Sequence, residues 1–557
     1  MGVDGATVGQ RFVSGVDRIR DIAEKERLPL ALAFLYVIVL ATIRDLSEYY
    51  LLDPNFVNTA HPWIFSIAHH VAFYVVVYLG LVLLLAAFSG RGLRKAIAFI
   101  TFIYALILVP PILDKFLFGV TDSYSYYDWT EFINAILHFS GTKFHPGQGI
   151  EVVLVLFAMG AYIFWCQRDK LDRQPDRIFA LTRLGLFIVF ALAGMFFLAT
   201  PAAYLPVGFT EGIAQFPNYA STRYNLYHLY LLAYYLLVAA ALTFVIGVTV
   251  LRKNMVAVAR SMRPLQTAFF AAILLAGMTM GWTNVGDLNL VTHVLDPPYW
   301  ANLGPLGVSV IAALMIWQST TIWNDVADLK MDLPTPRRSI LVGAVPLDLA
   351  KQMSYCLAIA GVLLAFLLSW TLGLIAVVIL FIGWAYSYPP LRLKEQLLRP
   401  LTMGIGTFLA FLFGYLTPYG QVNYVKWQYI GPYLTGNMLT ASLSMTALEV
   451  GLCMLVGLFV GSMVTDVDGY SEDKKGGVKT VYTIIGIEKG ASVVSVLIFF
   501  SSLLPLFLFQ TTIDLVFFPT LGVLAAILFK KYLSSKVVML VAFVGLVYAA
   551  LRLLGLI

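Results

Sequence analysis

Long apolar runs separated by short charged links make up almost the whole chain. They lie near 28–43, 65–89, 96–113, 150–166, 184–203 and 226–251. A second set lies near 265–283, 306–323, 352–369, 371–387, 400–417, 444–464, 490–509, 515–529 and 537–555. A helix needs about 20 apolar residues to cross a bilayer, and these runs are unbroken rather than alternating. The pattern predicts an all-α polytopic membrane protein with about fifteen transmembrane helices, and not a β-barrel. The stretch 352–387 would be about 54 Å long as one helix, too long for a bilayer. A break is therefore expected at Ser369–Gly373.

Composition agrees. Of 557 residues, 60% are hydrophobic and 12% charged, against roughly 25% charged in a soluble domain. Mean hydropathy is +0.83. A soluble enzyme, a nucleic-acid binder and a disordered tether are excluded. Cys166, Cys356 and Cys453 all fall in apolar runs, so they read as small buried hydrophobes. Residues 1–28 are too charged for a cleavable signal peptide.

The charges also orient the chain. With the N-terminus cytoplasmic, 31 of the 37 Lys and Arg fall in cytoplasmic segments. That is the positive-inside bias, and it explains the net charge of +6 without an acidic partner. The expected topology has the N-terminus and the even-numbered links inside and the C-terminus outside. The charged link Arg252–Arg263 is the best boundary. It divides a six-span membrane domain of unknown role (1–255) from a nine-span domain (256–557). Whether the first domain binds a protein partner is left open.

Chemistry concentrates in cytoplasmic loops of the second domain. After the eighth span comes Asn324-Asp325-Val326-Ala327-Asp328-Leu329-Lys330-Met331-Asp332. The aspartates at i, i+3 and i+7 stack on one helical face. Three adjacent carboxylates repel one another unless a cation lies between them. Hard oxygen ligands suit Mg2+, which usually binds together with a phosphate. Arg337 and Arg338 follow, ready to pair phosphate oxygens. A second loop, 466–480, brings Asp466, Asp468, Glu472 and Asp473 with Lys474, Lys475 and Lys479. A third, Tyr386–Lys394, adds Arg392 and Lys394. Acids for a metal and bases for phosphate beneath an apolar bundle suit a substrate with a diphosphate head and a hydrocarbon tail. A plainer reading makes these solvated loops at helix ends. A transporter would instead place acids or broken helices near the bilayer midplane.

These motifs resemble the UbiA superfamily of intramembrane prenyltransferases. Asn324, Asp325, Asp328 and Asp332 match its N-D-x-x-D-x-x-x-D signature. Arg338 and Gly343 fall in its R-P-I-P-S-G-like stretch, where Ser339 and Leu341 replace the prolines. Tyr386 through Lys394 match its Y-S-x-P-P-L-K/R-L-K stretch, and Arg263-Pro264 its opening pair. Asp466, Asp468, Gly469, Gly477 and Thr480 match parts of the second Asp signature. There Tyr470 stands where an acid belongs, and Val481-Tyr482 replace Leu-Pro. Asp473 is the substitute acid if the count runs back from Gly477.

The resemblance covers about 260–557 and implies the following expectations. The activity is transfer of an isoprenyl group from a prenyl diphosphate to a lipophilic acceptor such as a quinone precursor or glycerolipid. A phosphoribosyl-transferring member or a non-catalytic scaffold are the alternatives. The metal is Mg2+, held by Asp325, Asp328, Asp332, Asp466, Asp468 and Asp473. Asn324, Arg338, Arg392, Lys394, Lys474 and Lys479 would bind diphosphate. Arg338, Tyr386 and Lys394 would join the first three aspartates in catalysis. The partners are the donor, the acceptor and the bilayer, with no nucleic acid.

All seven histidines, His61, His69, His70, His138, His145, His228 and His293, fall at or beyond the outer boundary. They read either as part of an external metal or ligand site or as amphipathic interfacial residues. Glu449 is the one acid well inside a span. It reads as a hydrogen-bonding group or as part of an acceptor site.

Overall fold

The computed structural model describes residues 5–25, 29–52, 63–122, 124, 126, 129–138, 145–168, 174–201, 220–251, 255–285, 303–327, 345–426 and 444–553. Among these the protein is all-α. Thirteen helices are long and apolar enough to cross a membrane, and each coincides with a run read from the sequence. The protein is an integral membrane protein. The other two runs also form helices. Leu30–Leu52 carries Arg44, Asp45 and Glu48 within its length, and Ser535–Leu553 is apolar over a shorter stretch.

The chain divides into two compact units. One is Met1–Met255 with Asp296–Gly304, and the other is Val256–Leu295 with Pro305–Ile557. In the first unit the described helices are α1 (Gly5–Ala23), α2 (Leu30–Leu52), α3 (Trp63–Ser89), α4 (Leu93–Ile103) and α5 (Val109–Phe116). They continue with α6 (Trp129–His138), α7 (Pro146–Cys166), α8 (Gln174–Ala199) and α9 (Ala220–Leu251). A 3-10 turn at Tyr104–Leu108 joins α4 to α5 just before Pro110-Pro111, where two backbone donors are missing. The pair still crosses as one span, Leu93–Phe116. Helix α3 is central, packing against α2, α4, α7, α8 and α9. Val37, Leu85 and Phe187 are fully buried in the core.

The second unit runs α10 (Met255–Ser261), α11 (Pro264–Val285), α12 (Leu303–Ala327), α13 (Leu347–Leu368), α14 (Trp370–Ser387) and α15 (Arg399–Lys426). Then come α16 (Met445–Asp466), α17 (Tyr470–Gly476), α18 (Val481–Ile485), α19 (Ile487–Leu503), α20 (Thr512–Tyr532) and α21 (Ser535–Leu553). The expected break falls at Ser369. Its extended backbone ends α13, and its side chain caps α14 by accepting from the Leu372 amide at 3.1 Å.

Apolar side chains gain little by leaving lipid for one another, so close packing and polar pairs hold such helices together. The tightest contact is between α11 and α15. A Cβ on Gly277 would lie 2.2 Å from the Phe411 carbonyl oxygen, and one on Gly281 2.2 Å from that of Tyr415. From the other side, a Cβ on Gly414 would lie 2.1 Å from the Leu274 carbonyl oxygen. Gly277 and Gly281 form a G-x-x-x-G pair that lets two backbones meet. Helix α12 adds polar contacts, with Ser309 bonded to Thr417 at 2.8 Å and the Trp317 indole N–H donating to Thr267 at 3.0 Å.

Gly277→Ala should lower the unfolding temperature in detergent and cost about 1–3 kcal/mol, because the new carbon meets backbone. Gly406→Ala on the same α15 meets nothing within 4 Å and should be neutral or mildly stabilising. Equal effects in calorimetry or a thermal-shift assay would refute the backbone contact.

Candidate functional site

At one end of the second unit, several helix ends and connections are tied together by charged side chains. Helix α11 begins with Arg263-Pro264, proline at the first helical position, where an N–H would have no partner anyway. Arg263 takes a left-handed backbone (φ 49°), and its guanidinium donates to Asp325 at the end of α12. Next to Asp325, the Asn324 side-chain oxygen accepts from Lys394 Nζ at 3.3 Å. Lys394 lies in a 3-10 turn (Leu393–Glu395) and is buried. Arg392, also left-handed (φ 39°), pairs with Glu395 at 3.0 Å. The Glu395 carbonyl accepts the Lys479 amide at 3.0 Å, which ties the third loop to the second Asp loop.

Arg399 starts α15 and is the hub of the other half. Its Nη1 lies 3.5 Å from Asp466 Oδ1. Tyr386 is within hydrogen-bonding reach of it, and Asp473 acts on both Arg399 and Asp466 through space. Asp466 is buried at the end of α16, and its Oδ1 makes no hydrogen bond. The arginine is close enough for charge attraction but is not aligned to donate. Tyr482, on α18, is fully buried beside Asp466, and its hydroxyl also makes no hydrogen bond. Burial, then the charges of Asp466 and Asp468, hold that phenol well above the usual tyrosine range, so it keeps its proton.

The residues expected from the sequence therefore separate. Asn324, Asp325, Tyr386, Lys394, Asp466 and Asp473 join this network directly or through Arg263 and Arg399. Asp328, Asp332 and Arg338 lie outside the described residues. Asp468 is engaged elsewhere: its two oxygens accept from the amide (3.2 Å) and hydroxyl of Ser535, the first residue of α21. Lys474 donates to the Tyr470 hydroxyl at 3.4 Å and lies over that ring. The Lys479 side chain is exposed. The residues that follow Gly469 form the two-turn helix α17, which ends at left-handed Gly477 (φ 71°). Asp473 lies one turn beyond Tyr470 on that helix. Glu449 is half-buried on α16, one turn before Cys453.

Sequence reading left the network roles of Arg263, Arg399 and Tyr482 unassigned. Arg263 was visible only as a motif match and Tyr482 only as a departure from one. Arg399, just outside the matched loop, carried no signal beyond its charge.

The fit of a divalent cation can be judged from this donor set. Buried Asp466, whose Oδ1 makes no hydrogen bond, faces the influence of Asp473, and both offer hard carboxylate oxygens of the kind Mg2+ takes. Among the described residues no three His, Cys, Asp or Glu already converge on one point.

Residues 288–537 match the model of the UbiA prenyltransferase family. Over 128 residues the chain is 32% identical to a digeranylgeranylglyceryl phosphate synthase of Methanobrevibacter smithii, a match covering 22% of this chain and 44% of that protein. The chain thus spans less than half the length of the curated relative it matches. The chain is also similar to solved structures, including these two. One comes from work on digeranylgeranylglyceryl phosphate synthase in membranes (TM-score 0.38, 17% identity, 52% of this chain and 92% of that one). The other is a UbiA homologue from Archaeoglobus fulgidus bound to DMAPP and Mg2+ (TM-score 0.35, 14% identity, 52% and 96%).

Asp468→Ala should act on folding, because it removes the cap of α21, at a cost of about 1 kcal/mol. Divalent-ion affinity should be little changed. Asp466→Asn should weaken that affinity at least tenfold with a smaller effect on stability. Titration with Mn2+, followed by its paramagnetic resonance, separates the two. The reverse ranking would place the metal at Asp468.

Proposed function

We propose that residues 256–557 form a Mg2+-dependent intramembrane prenyltransferase, moving an isoprenyl group from a prenyl diphosphate to a lipophilic acceptor. The supporting observation is the joined set of loop ends, in which Asp325 and Asp466 each face an arginine and Asp466 keeps an unbonded, buried oxygen. The resemblance between the chain's first Asp motif and the UbiA signature supports the same reading.

When bound, Mg2+ would neutralise the diphosphate and stabilise its departure. Asp325, Asp466 and Asp473 would hold it, with Asp328 and Asp332 from the same motif. The chain's own cations complete the charge match. Arg263 and Arg399 hold the carboxylates at fixed places, and Lys394, fixed by Asn324, presents a buried ammonium. Arg338 and Arg392 add guanidinium donors for phosphate oxygens. As the allylic C–O bond breaks, its electron pair leaves with diphosphate. The acceptor's lone pair then closes the new bond, and its proton is lost. The apolar bundle would seat the isoprenoid chain and exclude water from the cation.

For the acceptor, a glycerol phosphate lipid is the reading supported by the 32% identity to the archaeal synthase. For orientation, the skew of Lys and Arg supports a cytoplasmic N-terminus and cytoplasmic active loops, with the C-terminus outside.

The test is full-length protein in lipid nanodiscs with a labelled prenyl diphosphate, Mg2+ and a prenylated glycerol phosphate. Product and diphosphate should form, and a chelator should stop both. Asp325→Ala and Asp328→Ala should each lower turnover by about a hundredfold or more while the protein still folds. Wild-type rates in those variants would sink the metal assignment. No turnover or binding with any prenyl diphosphate would sink the enzyme.

The second Asp loop has its own check. Asp473→Asn should raise the Mg2+ requirement well above that of Tyr470→Phe, because a neutral phenol is a poor Mg2+ ligand. A silent Asp473→Asn beside a damaging Tyr470→Phe would reverse the assignment.

A further inference from the structure

The first unit buries ionisable side chains that prenyl transfer does not use. Helix α2 carries Arg44, Asp45 and Glu48, none more than 3% exposed. Helix α3 carries His69, fully buried, and His70. Adjacent helical residues point about 100° apart, so α3 turns one histidine to α2 and the other to α9. His70 Nδ1 lies 2.7 Å from Asp45 Oδ1. His69 Nδ1 lies 3.0 Å from His228 Nδ1 on α9. The centroids of the His69 and His70 rings are 4.0 Å apart. Asp45, His70, His69 and His228 thus stand side by side as an acid–base row across three helices, with His69–His228 as its hydrogen-bonded step.

Two features of the row point to its ligand. Two Nδ1 atoms bond only if one ring donates and the other accepts. The His69–His228 contact therefore holds one hydrogen, which either ring can carry. The second feature is charge. Among the described residues the fixed cation of this cluster is Arg44, tied to Glu48 and lying over the rings of Tyr74 (5.0 Å) and Tyr124 (4.5 Å). Against it stand the buried carboxyls of Asp45, Glu48 and Asp114.

Glu48 also accepts the Tyr124 amide, and Asp114 accepts from the Tyr124 hydroxyl and the Gly147 amide. Asp45 has no such support. The His70 ring is not aligned to donate, and neither carboxyl oxygen of Asp45 makes a hydrogen bond. Among the described residues the remaining titratable neighbours do not supply a fixed positive charge. Glu151 acts on Arg44 through space, His145 packs on Tyr124, Tyr126 packs on His69 and His70, and Tyr104 donates to the Tyr74 carbonyl. An unneutralised carboxylate inside a membrane bundle costs several kcal/mol. Protons on the row are what can remove the excess.

We propose that Asp45, His70, His69 and His228 form a proton-binding relay in the first unit, whose ligand is the proton itself. With His69 doubly protonated, a proton passing from its Nδ1 to His228 Nδ1 leaves the bonding pair on His69, so the positive charge moves to His228 and the two rings exchange donor and acceptor roles. These residues lie toward the C-terminal end of α2 and the N-terminal ends of α3 and α9, and so at one end of the unit. Under the proposed topology that end faces outward, and the protons exchange with the outer aqueous phase. The relay stands independently of the prenyltransferase reading.

The test uses full-length, histidine-labelled protein in nanodiscs, followed by NMR and infrared difference spectroscopy from about pH 5 to about pH 8. The signals of His69 and His228 should move together, and a carboxylic-acid band should appear on acidification and be absent in Asp45→Asn. In His228→Gln the titration of His69 should shift by about threefold or more in proton affinity. If Asp45 and His70 each keep one charge state across the range, the row is a static ion pair and the relay is overturned. The wild-type spectra decide this even where a variant fails to fold.

Discussion

An ionised side chain inside a membrane bundle must find its counter-charge within the protein, because no water is there to supply it. That constraint organises both units. In the second, where the bundle ends, it sets buried Asp466 against Arg399, and Asp325 against Arg263, so that each carboxylate-bearing loop end is anchored to the start of a different helix. The pairs neutralise the carboxylates and also fix where they stand. An acid held by charge alone can leave an oxygen without a hydrogen bond, as Asp466 Oδ1 shows, without the helix end coming loose.

The same constraint explains how a charged surface can be built from connections. Loop ends over a lipid-facing bundle gain no hydrophobic reward for staying in place. Here they are held by specific polar links: Lys394 to Asn324, the Lys479 amide to the Glu395 carbonyl, and Asp468 to the start of α21. Beneath them the Gly277, Gly281 and Gly414 contact locks α11 to α15, the helices that begin with Arg263 and at Arg399. Backbone packing thus sets the spacing between two arginines, and the arginines set the positions of two acids.

The two units handle buried charge differently. In the second, guanidinium groups of fixed charge face the carboxylates. In the first, histidines take that place beside Asp45, and their charge depends on bound protons. Arginine is cationic at any working pH, whereas histidine is poised near neutrality. Fixed counter-charge suits the diphosphate site proposed for the second unit, and titratable counter-charge suits the proton-binding row proposed for the first.

Much of this was legible from the sequence alone. The apolar runs determined the helices, because crossing a bilayer demands unbroken length and internally satisfied backbone. Even the break at Ser369 followed from arithmetic on helix rise. Asn324-Asp325 and the loop Tyr386–Lys394 pointed to the charged end of the second unit because they are local patterns. The sequence could not say which charges meet. Arg399 and Asp466 are far apart in the chain, Asp468 looked like Asp466 until Ser535 took its oxygens, and the pairing of His69 with His228 joins helices distant in sequence. Periodicity and motif spacing report what a segment does by itself. The pairing of buried charges depends on which helix faces which, and only the packed bundle decides that.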